Sequence, residues 1–352
     1  MASTGAYGTT GGRLAGSRPG GLLMAAVAAA LLAGCVTAPS RVTPVTAPAP
    51  ASTASTPVAI SAAPHAPAAR TPFSFAWPVP ALVPVAVEAE SLGRRARARY
   101  VLAVSPSAEG GFDVRAQAAE LLHLDAGEGA GGPMRPGTAL FAAAAAAPPG
   151  YRIGTDGRVA GVTGLPDALA ALAEADAFAG HPADRDLARG LMRSAAVHDV
   201  LAAAAEDPWN AWVGSWIDFG PAPGGSSVGM MPVAVEGRRL MRPAVLENLG
   251  PDREFACCVR LRATARLDGP ELEAALSRLP PGLIPVLAGA RGAEARLDAV
   301  ARETVTEAVV DPATLRPVHV RSEEWIVLHI AGKPVRAGLG RRDYRFDWPD
   351  LG

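Results

Sequence analysis

The chain has few of the residues on which several classes of protein depend. Its 352 residues include three cysteines and a single lysine, aromatic residues make up 5%, and the formal net charge is −1. Three cysteines cannot build a disulfide framework. A near-neutral chain that is poor in aromatic side chains also lacks the basic stacking surface typical of nucleic-acid binding. The composition therefore excludes a disulfide-rich scaffold and gives no support to a nucleic-acid partner.

Motifs of common catalytic and metal sites are also scarce. The sequence has no H-E-x-x-H, no P-loop and no C-x-x-C. Two hydroxyls, Ser226 and Ser227, lie between glycines and are candidates for a serine nucleophile, but such a nucleophile needs a positioned histidine. A flexible loop explains them more simply. We expect no catalytic residue, no metal and no cofactor, with a serine hydrolase as the remaining enzymatic alternative.

The N-terminal segment resembles the signal peptide of bacterial lipoproteins. Two basic residues, Arg13 and Arg18, precede an apolar run over 22–33, and residues 31–35 read LLAGC. A run of this length can enter a membrane but is too short for a stable spanning anchor. The resemblance to the lipobox implies that residues 1–34 are removed by cleavage after Gly34 and that Cys35 carries the lipid.

The lipoprotein resemblance also implies a location. Acyl chains on Cys35, palmitate among them, would hold the protein on a membrane outside the cytoplasm. In lipoproteins that are retained in the inner membrane, an aspartate typically follows the lipidated cysteine. Here the residue at that position is Val36. The resemblance therefore implies an outer-membrane protein that faces the periplasm, or the outer face of the cell membrane in a source with one membrane.

Residues 35–71 and 72–352 differ sharply in composition. The first stretch is mostly alanine, proline, threonine, serine and valine, with no apolar period and almost no charge. Such a segment cannot offset its ordering entropy, so it is predicted to be a disordered tether. The remaining residues are enough for one globular domain or two lobes.

Alternating apolar and polar residues predict long strands in the domain. From Phe255 the odd positions through Leu267 are apolar, which puts Cys257 on the apolar side and Cys258 on the other. The same alternation runs from Phe112 to Leu124. Glycines bound a hairpin turn at 154–157, and a turn at 311–317 leads into the C-terminal strands. Inert thiols or a redox pair remain alternatives for the two adjacent cysteines.

Helical periods occupy the middle of the chain. Helices are predicted over 165–178, 182–206 and 269–279, with prolines or glycines at their ends. The sequence thus predicts an α+β fold, in which a long, curved, half-barrel-like antiparallel sheet has helices inserted at mid-chain. This pattern is similar to periplasmic lipoprotein carriers and lipid-binding lipoproteins. That resemblance implies a hydrophobic ligand or an acylated protein.

Three of the six tryptophans are the candidate ligand contacts. Trp209, Trp212 and Trp216 have helical spacing, which suits a buried stripe or the lining of an apolar ligand site. The leading hypothesis is a membrane-anchored envelope lipoprotein whose domain binds a lipid or acyl chain without catalysis. The main alternative is an interaction or scaffold module of the envelope that has no internal ligand and contacts other envelope proteins.

Overall fold

A single antiparallel sheet dominates the domain. The computed structural model describes residues 72–91, 94–125, 149–167, 205–235, 238–268, 297–330 and 333–351. The strands are β1 (Ala81–Ser91), β2 (Arg94–Pro106), β3 (Phe112–Asp125), β4 (Gly150–Ile153), β5 (Val159–Thr163), β6 (Ser226–Val235), β7 (Arg238–Pro251), β8 (Val259–Asp268), β9 (Leu297–Val310), β10 (Pro317–Ile330) and β11 (Lys333–Phe346). Nine of them are ten residues or longer, so backbone pairing holds most of the described chain.

The sheet consists of two meanders joined through its first and last strands. Its order is β5-β4-β3-β2-β1-β11-β10-β9-β8-β7-β6. Every pair is antiparallel, and β1 pairs with β11 over six registered positions from Val85↔Phe346 to Glu90↔Arg341. The sheet is open, with β5 and β6 as its edges. The two ends of the described chain therefore meet at the centre of the sheet.

The prediction of an α+β fold is wrong, because the sheet takes almost all of the described residues. A short helix, α1 (Asp207–Trp209), runs into a π-helical turn over Asn210–Gly214, and helix also begins at 165–167. The rest of the predicted helices at 165–178, 182–206 and 269–279 lies almost entirely outside the described residues. Sequence patterning underestimated the sheet because alanine and arginine, rather than β-branched residues, fill many positions of β2 and β7.

One face of the sheet carries the buried side chains, and we call it the inner face. Along β8, Leu261, Ala263, Ala265 and Leu267 are at most 2% exposed, whereas the arginines between them face outward. This part of the predicted alternation is confirmed, although the strand begins at Val259 and not at Phe255. Period-two burial of this kind orients a long strand as far as its ladder is free of bulges.

A bulge in β3 reverses part of its predicted orientation. Ala118 has a φ of 49°, and the register between β2 and β3 shifts twice near it. Beyond the bulge Leu121 turns inward against Ala96, and Leu122 is 51% exposed. The prediction that Leu122 shares a face with Val114 is therefore wrong, because one extra residue exchanges the two faces of a strand.

An aromatic core packs on the inner face below the short helix. Trp209 and Trp77 have ring centroids 5.1 Å apart, and Trp77 contacts Trp348 edge-on at 5.0 Å. Trp212 meets Tyr344 at 5.3 Å. Offset and edge-on pairs of this kind add to the hydrophobic gain from burial. The aromatic core thus fixes the helix to β4, β11 and the segment that precedes β1.

Ion pairs cover much of the outer face, and Asp343 lies at the centre of one group. Nε2 of His319 lies 2.8 Å from its carboxylate, and Arg341 donates to it at 3.1 Å. The hydrogen bond from His319, followed by that from Arg341, lowers the pKa of Asp343 to about 2, against the opposing effect of burial. Asp343 therefore stabilises the fold in its charged form.

Acidification should remove the contribution of Asp343. Because the folded pKa is lower than the unfolded value of 3.8, this stability is present above pH 4 and is lost as the pH falls through about 2. We expect Asp343→Asn to lower the free energy of unfolding by about 1 kcal/mol at pH 6, after allowing for solvent screening. Urea unfolding should show the difference shrinking towards pH 2. A difference that stays constant with pH would contradict this assignment.

Candidate functional site on the inner face

Charged side chains lie on the inner face beside the aromatic core. Residues that are an even number of positions apart on a strand point to the same face of the sheet. Arg302 therefore shares a face with the buried Ala308 on β9. In the same way, Glu324 shares a face with the buried Val320 on β10, and Arg342 with the buried Tyr344 on β11. The short helix adds Asp207 from above. We call Asp207, Arg302, Glu324, Arg342 and Tyr344 the inner-face cluster.

Two hydrogen-bonded pairs lie within the inner-face cluster. Arg302 donates from Nη2 to Oε2 of Glu324 at 2.8 Å, and Arg342 donates to the hydroxyl of Tyr344. Burial alone would raise the pKa of Glu324, but Arg302 and Arg342 outweigh it and hold this pKa below its usual value. Glu324 is therefore a carboxylate at neutral pH.

Asp207 behaves differently from Glu324. Burial is the main cause that raises its pKa, to about 7, and the negative charge of Glu324 adds to it, while Arg342 and Arg302 act in the opposite direction. Asp207 thus exchanges a proton near neutral pH. Its protonation makes the inner-face cluster more positive, which favours an anionic group nearby.

Glu324 is only partly buried. Its side chain is 36% exposed, and that of its partner Arg302 is 19% exposed. A charged pair that solvent reaches in this way is also accessible to a ligand.

Small side chains surround the inner-face cluster on both sides. Ala89 lies opposite Arg342 in the register between β1 and β11, and Ala96 lies opposite Ala89. On the other side Ala265 pairs with Thr304 on β9 and with Ala244 on β7. These four alanines are at most 3% exposed, so small apolar side chains pack closely beside the polar groups of the inner face.

Several buried donors have no hydrogen-bond partner among the described residues, and two of them lie on the inner face. They are the hydroxyl of Tyr100, 2% exposed, and Nε1 of Trp212, 0% exposed. Burial is the main cause that raises the pKa of Tyr100 well above its usual value, and the charges of Tyr344, Tyr151 and Arg342 also act on it. An unpaired buried donor costs about 1–3 kcal/mol. Both groups therefore have unused capacity to bind a polar atom.

The three tryptophans singled out from the sequence come together in the aromatic core. Trp209, Trp212 and Trp216 are all 0% exposed. Nε1 of Trp209 donates to the carbonyl of Gly157, and Nε1 of Trp216 donates to that of Ala211, both at 2.9 Å. Their helical spacing thus corresponds to a buried stripe. Their role as ligand lining stays a prediction, and Trp212 is the one that reaches the inner-face cluster through Tyr344.

Ser226 and Ser227 lie on the edge strand β6. The segment 225–229 also fits G-x-S-x-G spacing, with Ser227 at its centre. That motif works as a nucleophile only on a tight turn from a strand into a helix, whereas Ser227 pairs with Leu246 inside an antiparallel ladder. Among the described residues no histidine lies on β6 or on its neighbour β7. This geometry gives no support to a serine nucleophile.

The adjacent cysteines lie in the turn between β7 and β8, which corrects their predicted placement. They form a disulfide with each other, so the alternative of two inert free thiols is wrong. Cys258 is buried and Cys257 is exposed, the reverse of the expectation. The reason is that the chain turns here, with Asp252 Oδ1 accepting hydrogen bonds from the amides of Glu254 and Phe255, and alternation applies only within a strand.

Some predicted features fall outside the described residues. These are Gly34, Cys35 and the tether over 35–71. In the part of the chain that the structure describes, no helix has the length and apolar character needed to cross a membrane. No group of three histidine, cysteine, aspartate or glutamate side chains in that part is arranged to hold a metal ion.

Sequence patterns did not identify the inner-face cluster. Arg302, Glu324 and Arg342 come from three strands, and each resembles an ordinary surface charge when the sequence is read alone. A signal was present on β10 alone, where Glu324 occupies the parity that is otherwise apolar or small. The chain matches no model of a known protein family and no curated protein.

Proposed function

We propose that this protein is an envelope lipoprotein whose sheet domain binds a lipid or acyl chain on its inner face without catalysis. The observation that carries the proposal is the inner-face cluster itself, where the partly exposed pair Arg302 and Glu324 lies on the same face as the unpaired hydroxyl of Tyr100 and buried apolar side chains. An amphiphile has the matching chemistry. Its chain suits the apolar inner face, and its polar head suits the inner-face cluster.

The charges of the inner-face cluster favour an anionic head group. Arg302 and Arg342 contribute two positive charges and Glu324 one negative charge. Asp207 carries little charge once it is protonated. Guanidinium groups bind carboxylates and phosphates through charge-assisted hydrogen bonds, and the hydroxyl of Tyr100 can donate one more. A fatty acid or a phospholipid therefore fits better than a neutral lipid.

The N-terminal sequence supports the proposed location. The resemblance to a lipobox at 31–35 implies that Cys35 is lipidated, on the outer membrane facing the periplasm. A tether over 35–71, up to about 3 Å per residue, could carry the domain as much as ~100 Å from the membrane. A binding domain held in this way can collect or deliver an apolar ligand across the periplasm.

Extraction of bound lipid tests the proposed function. Lipids would be extracted with organic solvent from the purified full-length protein and identified by mass spectrometry. Covalent acyl chains on Cys35 stay with the protein, so the extract reports only the ligand on the domain. We expect an acyl-chain lipid in stoichiometric amount. A protein that stays free of lipid after incubation with fatty-acid and phospholipid vesicles would overturn the proposal.

A pair of substitutions on one strand locates the ligand. Ala265→Leu adds a side chain to the inner face, whereas Thr264→Leu adds the same side chain to the outer face one residue away. Ala265→Leu should lower the bound lipid about tenfold and Thr264→Leu should leave it unchanged. Thermal unfolding shows whether Ala265→Leu still folds. If it does not, Arg342→Gln replaces it, and this change should reduce binding of anionic lipids alone.

An envelope interaction module remains the second candidate. Exposed apolar side chains on the outer face of β6 and β7 favour it, among them Val228 and Met230. An interaction module would purify with an envelope protein and would contain no extractable lipid. The same purification therefore distinguishes the two functions.

A further inference from the structure

A groove crosses the outer face at the centre of the sheet. Its volume is about 780 Å³, which lies within the range of small-ligand sites. It extends from β3, where Ala118 and Glu120 line it, to the turn between β7 and β8, where Glu254 and Phe255 line it. Between these ends it crosses β2, β1, β11 and β10, so it spans at least four strand spacings of about 4.8 Å, roughly 19 Å in all. We call this space the outer groove.

Short side chains form the floor of the outer groove. On β1 these are Ala86 and Pro84, and Pro84 lies opposite Val101 of β2 in the register. Two residues further along the same face of β1, Glu88 forms an ion pair with Arg97 at 3.0 Å. The outer groove therefore begins where the long, paired side chains of the outer face give way to short apolar ones.

Five charged side chains and one histidine line the outer groove, and three of the six are already engaged. Arg99 donates to Glu120 at 2.7 Å, so these two charges neutralise each other. Nε2 of His319 lies 2.8 Å from the carboxylate of Asp343. These three side chains therefore have little left to offer to a ligand.

The other three charges, on Arg345, Asp347 and Glu254, are available to a ligand. Arg345 is 79% exposed, and its one ion-pair partner among the described residues, Asp343, lies 4.0 Å away. The amide of Asp347 donates to the carbonyl of Pro84 at 3.0 Å, which places this residue at the floor of the groove. The carboxylates of Asp347 and Glu254 have no hydrogen bond or ion pair with any described residue. One cation and two anions therefore face the outer groove without a close partner.

The turn that carries Glu254 is fixed by its own contacts. Oδ1 of Asp252 accepts hydrogen bonds from the amides of Glu254 and Phe255 at 2.8 and 2.9 Å. The amide of Cys258 donates to the carbonyl of Phe255 at 3.0 Å, and the disulfide joins Cys258 to Cys257. A wall that is ordered before a ligand arrives reduces the entropy cost of binding, so the turn presents Glu254 in a preorganised position.

We propose that the outer groove binds a short basic peptide with a free carboxyl terminus. The available charges of the groove are one guanidinium and two carboxylates, so their complement is a ligand with one carboxylate and two ammonium groups. A guanidinium binds a carboxylate through charge-assisted hydrogen bonds, and an extended chain of about five or six residues covers roughly 19 Å. The proposal does not depend on the lipid ligand, because the outer groove lies on the opposite face of the sheet.

Isothermal titration calorimetry of the purified full-length protein tests the peptide site. The probe is leucyl-lysyl-leucine, which carries two ammonium groups, one carboxylate and two apolar side chains. Leucyl-glutamyl-leucine and the C-terminal amide of the probe each lack one part of this complement, and each should bind about tenfold more weakly. Equal affinity for the three peptides, or no binding of the probe up to about 1 mM, would overturn the proposal.

Three variants that each remove one charge locate the peptide. Arg345→Gln should abolish the preference for the free carboxylate over the amide, and Glu254→Gln should weaken binding of the probe about tenfold. Both side chains are exposed, so both variants should fold. The matched control is Arg266→Gln, which removes an exposed arginine of β8 outside the outer groove and should leave binding unchanged. Unchanged binding in Arg345→Gln and Glu254→Gln, or an equal loss in Arg266→Gln, would show that the peptide binds elsewhere and would overturn the assignment.

Discussion

Cys35→Ala should remove the acyl label from the protein and release the domain from the membrane fraction. Cys35 ends the lipobox-like segment 31–35, and the resemblance implies that a thioether is formed on its sulfur. A chain with a thioether-linked diacylglycerol and an N-terminal acyl group is held stably, because two or more acyl chains exceed the threshold for lasting anchorage. Alanine offers no atom to which the lipid can be attached.

Metabolic labelling with a palmitate analogue, followed by membrane fractionation, measures this effect. The matched control is the double variant Cys257→Ala and Cys258→Ala, which removes the two other cysteines of the chain and should keep the full label. Label that persists in Cys35→Ala would show that the lipid is elsewhere and would remove the basis for the proposed location.

Trp209→Ala should cost about 3–5 kcal/mol of unfolding free energy. The indole of Trp209 is 0% exposed and lies 5.1 Å from the ring of Trp77, 5.7 Å from Tyr151 and 5.9 Å from Phe75. Truncation leaves a cavity among rigid rings that cannot close around it. It also removes the donor to the carbonyl of Gly157. A loss of this size is a large part of the stability of a typical domain.

Urea unfolding of Trp209→Ala, compared with that of the control variant Trp325→Ala, measures this loss. Trp325 lies on the outer face of β10, where Arg336 stacks over its ring at 4.2 Å, and Trp325→Ala should cost about 1 kcal/mol. If Trp209→Ala does not fold, Trp209→Phe keeps an aromatic ring and should cost roughly 1–2 kcal/mol through the unpaired carbonyl. Equal losses for Trp209→Ala and Trp325→Ala would contradict the central role of Trp209 in the aromatic core.

Period-two alternation was predictive where large apolar residues carried it. In β8 the residues from Leu261 to Leu267 alternate strictly between apolar and polar, and the structure confirms their orientation. The hairpin at 154–157 also formed as predicted, with Gly157 at a φ of 84°. Local turn chemistry and burial periodicity act over a few residues, so a sequence contains enough information to predict them.

Period-two alternation gave the wrong orientation where one residue interrupted the regular extended strand. In β3 the left-handed Ala118 exchanged the two faces, so that Leu122 points to solvent. In the turn before β8 the side chain of Asp252 ended the extended conformation, which reversed the placement of Cys257 and Cys258. Alanine at a positive φ has no sequence signature, and the pairing with β2 determines where the bulge lies.

The sequence by itself determined the local features of this protein. These are the lipobox-like sequence that ends at Cys35, the charge-poor composition of 35–71, the alternation within the strands and the helical spacing of Trp209, Trp212 and Trp216. Each depends on neighbours within a few residues. Only the tertiary structure decided that β1 and β11 pair at the centre of one sheet, and that Arg302, Glu324 and Arg342 converge on its inner face. Those arrangements arise from pairing between distant strands, whose register depends on burial and hydrogen bonding across the whole sheet.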